Sequence, residues 1–203
     1  MLGQPKMSET RQVNVMVSGA VMEVVMARPP VNAINLTLSR QMYDAFKRLN
    51  EDDSLRVGLL YSEGNAKNIF SAGWDMKAFA AGESQNDETG FDGPGGLGGL
   101  PEYFGLYKPV VVAVAGGAIG GGFELALGGD VIVCSEDAYF WLPEMQRGFL
   151  PDGGAIQKWS TVQIMATTTV PAKANAEVCM VSHLQRCTSS RSAVRQMGSG
   201  MPQ

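Results

Sequence analysis

A glycine-rich and apolar stretch, Val110–Glu144, constrains the fold of this chain more than any other. It reads VVVAVAGGAIGGGFELALGGDVIVCSEDAYFWLPE. The continuous apolar segment Val110–Val114 predicts a buried strand. Three consecutive glycines follow it: Gly120, Gly121 and Gly122. Since good helix formers come next, we expect these glycines at a helix N-terminus, where free N–H groups favour an anion or a developing oxyanion.

The same stretch places two carboxylates, Glu124 and Glu144, at the ends of apolar segments. Glu124 fits either a surface residue that offsets the helix dipole or a functional acid, and spacing alone leaves both open. Two carboxylates near amide donors suggest proton transfer next to a carbonyl. A glycosidase also uses paired carboxylates but needs no amide turns. The glycines lack the Lys-Ser/Thr of a phosphate-binding loop, and Gly117–Gly120 matches a dinucleotide loop only weakly.

A second turn of small residues, Ser71–Asp75, has the same chemistry as the first. Its glycine, Gly73, allows the chain to bend and to direct the following N–H groups outward. The side chain of Trp74 fits packing as well as function, so the residue pattern leaves its role open.

Segments with strand and helix periodicity alternate along the chain, which predicts an α/β fold. Strands are predicted at Val13–Val17, Val21–Val25, Arg56–Tyr61, Ile69–Phe70, Val110–Val114, Asp130–Cys134 and Ala138–Leu142. Helices are predicted at Thr37–Asn50, Met76–Ala81, Leu100–Leu106 and Phe123–Leu127. The polar and glycine-rich segment Gly82–Gly99 is predicted as a loop.

Composition excludes several classes of function. The 203 residues, 45% hydrophobic, suit one domain with a sizeable core, and a net charge of −4 gives no argument for nucleic acid. No apolar run is long enough to span a bilayer. One histidine and three cysteines without zinc-type spacing argue against a metal site and against a Ser-His-Asp triad. A reducing cytosol is therefore the expected location, without a membrane partner.

The chain divides into three parts. Residues 1–10 are expected to be loose, residues 11–154 to form the core domain, and residues 155–203 to form an atypical C-terminal segment. That last segment carries five basic residues and one acidic residue, and its apolar periodicity fades. It is therefore predicted to be weakly structured.

Four motifs resemble the crotonase (enoyl-CoA hydratase/isomerase) superfamily and stand in the order of that family. They are ARPPVNAIN, FSAGWDMKA, KPVVVAVAGGAIGGGFELALGGDVIV and FWLPEMQRGFLPDGG. The resemblance covers Val13–Gly154, and FSAGWDMKA together with FDGPGGLGGLPEYFGLYKP is most similar to the carnitinyl-CoA dehydratase subgroup. It implies a crotonase-like spiral core of repeated β-β-α units.

The resemblance also implies roles for individual residues. The backbone N–H groups of Trp74 and Gly121 would hold a thioester carbonyl in an oxyanion hole. Glu144 would be the principal proton acceptor and donor, and Glu124 would orient or activate water. Residues implied to contact substrate or coenzyme A are Val31, Ala33, Ala72, Asp75, Met76, Gly120 and Pro143. Asp75 is also expected to cap or brace its turn.

The implied activity is reversible hydration of a 2-enoyl-CoA thioester, with crotonobetainyl-CoA as a candidate. Coenzyme A is then part of the substrate, and no separate cofactor is expected. Alternatives are an isomerase or thioesterase on the same scaffold, or a catalytically impaired acyl-CoA-binding protein or isoform. The family implies a homotrimer or a dimer of trimers. Residues 155–203 do not resemble the C-terminal helices of the family, so a truncated or frame-shifted end is a hypothesis. Assembly into trimers would depend on whether this segment permits it.

Overall fold

The computed structural model describes residues 11–65, 67–82, 86–87, 90–148, 150–158 and 163–167. Within these ranges the strands are β1 (Val13–Ser18), β2 (Val21–Met26), β3 (Val57–Ser62), β4 (Ile69–Ser71), β5 (Asn86–Asp87), β6 (Gly90–Phe91), β7 (Val110–Val114), β8 (Gly117–Ile119), β9 (Val131–Ser135), β10 (Tyr139–Trp141) and β11 (Gln163–Thr167). The helices are α1 (Leu36–Glu51), α2 (Met76–Ala80), α3 (Gly121–Leu127) and α4 (Ala155–Lys158). The predicted α/β class is confirmed.

Two sheets organise the domain. The larger has the order β1-β2-β3-β7-β9-β11, in which β1 and β2 are antiparallel and every other neighbouring pair is parallel. The smaller has the order β10-β8-β4, and both of its pairs are parallel. Strands β5 and β6 form a separate antiparallel pair.

A repeated β-β-α unit links the two sheets. In β3-β4-α2 and in β7-β8-α3, the first strand lies in the large sheet, the second lies in the small sheet, and a helix follows. Strands β9 and β10 repeat the step and end in a 3-10 turn, Pro143–Arg147. This is the predicted crotonase-like architecture.

Helix α1 shows how the sequence builds the core. Asn35 caps it by accepting a hydrogen bond from the Leu38 N–H at 3.0 Å. Its buried face includes four residues spaced by three or four, all with 0% exposure: Leu38, Met42, Phe46 and Leu49. These residues share one hydrophobic cluster with Val110, Val112 and Val114 of β7. The predicted helix, Thr37–Asn50, is confirmed to within one residue at each end.

Two predictions about secondary structure need correction, and one strand was not predicted. A helix at Leu100–Leu106 is wrong: a 3-10 turn occupies Leu97–Gly99 and non-helical turns follow, because Pro101 and Gly105 weaken a helix. The segment predicted as a loop, Gly82–Gly99, contains β5 and β6. Strand β8 was not predicted, because its three residues lie between glycines and carry no periodic signal.

Ordered structure continues beyond Gly154. Helix α4 begins at Ala155, and β11 pairs in parallel with β9 from Gln163↔Val131 to Thr167↔Ser135. The large sheet therefore includes a strand from the segment predicted to be weakly structured. The predictions for residues 1–10 and 168–203 lie outside the described residues. Across the described ranges, none of the helices combines the length and apolar character that crossing a membrane requires.

Candidate functional site

The ends of three parallel strands bring the predicted site residues together. Trp74 follows β4, Gly121 begins α3 directly after β8, and Glu144 follows β10. In the small sheet β8 lies between β4 and β10, with Ser71 opposite Ala118 and Trp141 opposite Ile119. Because parallel strands present their carboxyl ends at one edge, residues separated by 70 positions in the chain meet there.

Hydrogen bonds to Ile34 fix the direction of the Trp74 N–H. The Ile34 N–H donates to the Gly73 carbonyl at 2.7 Å, and the Asp75 N–H donates to the Ile34 carbonyl at 2.8 Å. A trans peptide is planar, so the Trp74 N–H points opposite to the Gly73 carbonyl and away from Ile34. Gly73 has φ +78°, and a Cβ there would lie 2.8 Å from the Gly121 nitrogen. The turn thus lies directly against the start of α3.

The Gly121 N–H is oriented in the same way. The Gly120 carbonyl accepts from the N–H groups of Phe123 and Glu124 at 2.8 and 3.1 Å, inside the helix. The Gly121 N–H, on the other side of that planar peptide, therefore points out of the first turn and has no intrahelical acceptor. A Cβ on Gly121 would lie 3.6 Å from the Trp74 nitrogen. The two main-chain donors border one space.

Glu144 lies beside these donors. A Cβ on Gly120 would meet the Glu144 carboxylate, with its carboxyl carbon at 3.4 Å, so this side chain lies directly against the Gly120 backbone. The Glu144 Oε2 is buried and has no hydrogen-bond partner among the described residues. A buried carboxylate oxygen without a partner is costly, which indicates that it is available to a bound molecule.

Glu124 is buried in α3, with 3% exposure, so the surface alternative is wrong. Its Oε1 accepts a hydrogen bond from the Ala155 N–H at 3.2 Å. Burial raises the pKa of Glu124 above its ordinary value. The Ala155 N–H opposes this rise, while the charges of Asp152 and Glu144 add to it. Glu124 therefore holds its proton to a higher pH than an exposed glutamate does.

Asp75 is the N-cap of α2, as predicted. Its Oδ1 accepts from the N–H groups of Lys77 and Ala78 at 3.1 and 2.9 Å, and its Oδ2 lies 2.5 Å from the Arg28 Nη2. The other arm of Arg28 donates to the Ala33 carbonyl at 2.9 Å. Burial would raise the pKa of Asp75, but the Ala78 N–H and Arg28 outweigh it, so the pKa lies below the ordinary value.

Replacing Asp75 with asparagine should isolate the charge of this ion pair, because asparagine also caps helices. The lowered pKa means that the carboxylate stabilises the fold above the ordinary value of 3.8 and loses that effect as pH falls through its folded pKa. We expect the variant to be less stable by about 1 kcal/mol at neutral pH and equal to wild type in acid. Denaturant titrations at several pH values measure this, and a difference independent of pH would contradict it.

The remaining predicted contact residues lie on two sides of the donor pair. On the Trp74 side, the Val31 carbonyl accepts from the Ala72 N–H at 2.9 Å, and Met76 is exposed at the start of α2. On the other side, Pro143 directly precedes Glu144. Their contact with coenzyme A remains a prediction. The described ranges contain no group of three potential metal ligands.

Sequence reasoning did not single out four polar residues that the structure buries wholly or in part: Arg28, Asn32, Ser71 and Asp92. Asn32 and Ser71 are 2% and 0% exposed, although their residue types are usually found on surfaces. Asp92 is 7% exposed, and its Oδ1 has no hydrogen-bond partner in the part of the chain that the structure describes. Burial, with the charges of Asp152 and Glu102, raises the pKa of Asp92 to about 6. Only an acidic, glycine-rich composition marked this segment in the sequence.

A comparison with protein families identifies the family of this chain. The family model described as enoyl-CoA hydratase/isomerase matches residues 17–186, well over half of the chain. The chain belongs to the enoyl-CoA hydratase/isomerase family. The matched span continues past Gly154, the predicted limit of the resemblance, and includes β11.

Several members of the family are similar in sequence. The carnitinyl-CoA dehydratase of Proteus mirabilis (strain HI4320) is 46% identical over 138 residues, which are 68% of this chain and 51% of that protein. The carnitinyl-CoA dehydratase of Salmonella paratyphi B is 47% identical over 139 residues, with the same coverage. The chain thus spans about half the length of these curated relatives.

Solved structures of the family share the fold. A carnitinyl-CoA dehydratase from Mycobacterium avium 104 has a TM-score of 0.65 at 34% identity, covering 73% of this chain and 57% of that one. An enoyl-CoA hydratase from Mycobacterium tuberculosis H37Rv has a TM-score of 0.63 at 36% identity, covering 73% and 56%. The crotonase fold and the similarity to carnitinyl-CoA dehydratases are therefore established.

Proposed function

We propose that this protein catalyses the reversible hydration of a 2-enoyl-CoA thioester. The observation that supports the proposal is that the Trp74 and Gly121 nitrogens lie close together, near a Glu144 carboxylate oxygen that has no hydrogen-bond partner among the described residues. The thioester carbonyl oxygen would accept from both donors. When negative charge develops on that oxygen, each preorganised donor stabilises it by roughly 3 kcal/mol.

The carboxylates supply the proton transfers. In the dehydration direction, Glu144 takes the proton from the α carbon, and the electron pair of that C–H bond forms the enolate. The enolate then expels the β hydroxyl group, which takes a proton and leaves as water. The raised pKa of Glu124 suits an acid that protonates and holds this departing group. Hydration is the reverse sequence: Glu124 orients the water and takes the proton that it loses on adding to the β carbon, and Glu144 returns its proton to the α carbon.

Activity assays separate hydration from the other reactions of this scaffold. We expect crotonyl-CoA or crotonobetainyl-CoA to lose its conjugated absorbance without releasing free thiol. Thiol release would indicate a thioesterase, and double-bond migration would indicate an isomerase. Binding of the thioester by folded protein without any turnover would contradict the hydratase and favour an acyl-CoA-binding protein. The family resemblance also supports a homotrimer or a dimer of trimers, which light scattering measures.

The charge around Glu124 favours a cationic acyl group. Asp152 raises the pKa of both Glu124 and Asp92, so the three carboxyl groups share one region. An acyl chain that ends in a quaternary ammonium would reduce the repulsion among them. The names of the relatives are consistent with such a substrate, crotonobetainyl-CoA, and we propose it as the preferred one.

The Asp92→Asn variant tests this preference. We expect kcat/KM for crotonobetainyl-CoA to fall about tenfold, which corresponds to roughly 1.4 kcal/mol, while kcat/KM for neutral crotonyl-CoA changes little. The matched control is Asp53→Asn, which removes one negative charge from an exposed residue in the turn after α1. An equal loss with both substrates would contradict a cationic acyl group.

A further inference from the structure

Two buried polar side chains, Asn32 and Ser71, connect residues 31–34 to β4 and to the turn that follows it. The Asn32 Nδ2 donates to the Phe70 carbonyl at 3.1 Å, and the Asn32 Oδ1 accepts from the Arg28 N–H at 3.0 Å. The Ser71 Oγ donates to the Asn32 carbonyl at 2.7 Å and accepts from the Gly73 N–H at 3.1 Å. The Asn32 side chain thus joins the loop before α1 to β4, and the Ser71 side chain joins that loop to the turn that carries Trp74.

One further hydrogen bond, from the Ile34 N–H to the Gly73 carbonyl, links residues 31–34 to the peptide that carries the Trp74 N–H. The Gly73 carbonyl is held by the Ile34 N–H, and the planar peptide then turns the Trp74 N–H to the opposite side. If residues 31–34 moved relative to β4, that peptide would rotate with them. We propose that Asn32 and Ser71 are positioning residues that aim the Trp74 N–H at the substrate carbonyl. The inference rests on the proposed function, because it assumes that a thioester occupies the donor pair.

The backbone of Asn32 explains why asparagine stands there. Its φ is +48°, in the left-handed region that asparagine and aspartate tolerate better than other residues with a side chain. The Asn32→Asp variant therefore keeps the backbone and the size of the residue. It replaces the N–H donor with an oxygen that faces the Phe70 carbonyl and is repelled by it.

A matched control exists at the other end of β4. The Asn65 Nδ2 donates to the Ile69 carbonyl at 2.7 Å, so Asn65→Asp loses a similar side-chain hydrogen bond to the same strand. It leaves the contacts of Asn32 and Ser71 in place. A second variant, Ser71→Ala, removes the hydroxyl group without introducing charge and covers the case in which Asn32→Asp does not fold.

The experiment measures kcat, KM and the polarisation of the carbonyl. Polarisation is read from the red shift that a conjugated arylacryloyl-CoA shows when it binds. We expect folded Asn32→Asp and Ser71→Ala to lower kcat roughly 10- to 100-fold and to reduce the red shift, with KM close to that of Asn65→Asp. The melting temperature of Ser71→Ala should be close to that of Asn65→Asp, and that of Asn32→Asp should be lower, because this variant buries a carboxylate. A folded Asn32→Asp or Ser71→Ala with wild-type kcat and red shift would overturn the inference.

The same experiment separates this inference from the proposed function. If wild type binds the arylacryloyl-CoA with a red shift but does not hydrate enoyl-CoA, the hydratase proposal fails and the shift still decides the roles of Asn32 and Ser71. If wild type binds it without a shift, Trp74 and Gly121 do not polarise a carbonyl, and both proposals fail.

Discussion

Replacing Glu144 with glutamine is expected to abolish enoyl-CoA hydration and to leave CoA-ester binding almost unchanged. Glutamine has the shape of glutamate but cannot take the proton from the α carbon, and such a base contributes roughly 10²- to 10⁴-fold. Because the Glu144 Oε2 has no hydrogen-bond partner within the described ranges, the change breaks no bond to that atom. Loss of activity without loss of melting temperature is the expected result.

A second measurement on the same variant tests the coupling of the two acids. The charge of Glu144 contributes to the raised pKa of Glu124. Removing that charge should lower the pKa of Glu124, which titration of its carboxyl carbon by NMR detects. An unchanged pKa would show that the two groups are not coupled in solution.

The control for this variant is Glu136→Gln, which makes the same change at an exposed residue between β9 and β10. It should keep wild-type turnover. Wild-type turnover in Glu144→Gln itself would remove the role proposed for Glu144, whatever happens to the pKa of Glu124.

The sequence predicted local structure well where periodicity was strong. Helix α1 could be placed to within one residue, because four buried residues at spacings of three and four define one face. Strand β8 could not be predicted, although it forms the centre of the small sheet, because a strand of three residues between glycines has no period to detect. Its position became visible only through its pairing with β4 and β10.

The sequence predicted which residues form the candidate site, and their roles stay predictions, but it did not predict what surrounds them. Family motifs identify Glu124, but the same position in a first helical turn also fits an exposed residue, so only packing shows its burial. The hydrogen bond from Asn32 to Phe70 joins residues 38 positions apart. Side-chain pairs at such separations leave no local pattern, which explains why the positioning residues and Asp92 were missed.

Replacing Gly73 with alanine is expected to displace both main-chain donors of the candidate site. At φ +78° a side chain costs about 1 to 2 kcal/mol. In addition, the new Cβ would lie 2.7 Å from the Ile119 carbonyl oxygen and 2.8 Å from the Gly121 nitrogen, both backbone atoms. The chain can relieve these clashes only by separating the turn from α3, which moves the two N–H donors apart.

Activity should therefore fall more than stability explains. Misplacing a single donor of this kind costs roughly 10²- to 10³-fold in kcat, and here both are displaced. Gly19→Ala is the matched control, because Gly19 has φ +58° and a Cβ there meets no atom within 4 Å. It should lose stability through the same backbone strain and keep full activity. The opposite result would be a Gly73→Ala variant that retains kcat while its melting temperature falls by the same amount as that of Gly19→Ala. In that case the backbone strain at positive φ would explain the whole effect, and the contact between the turn and Gly121 would not hold the two donors together.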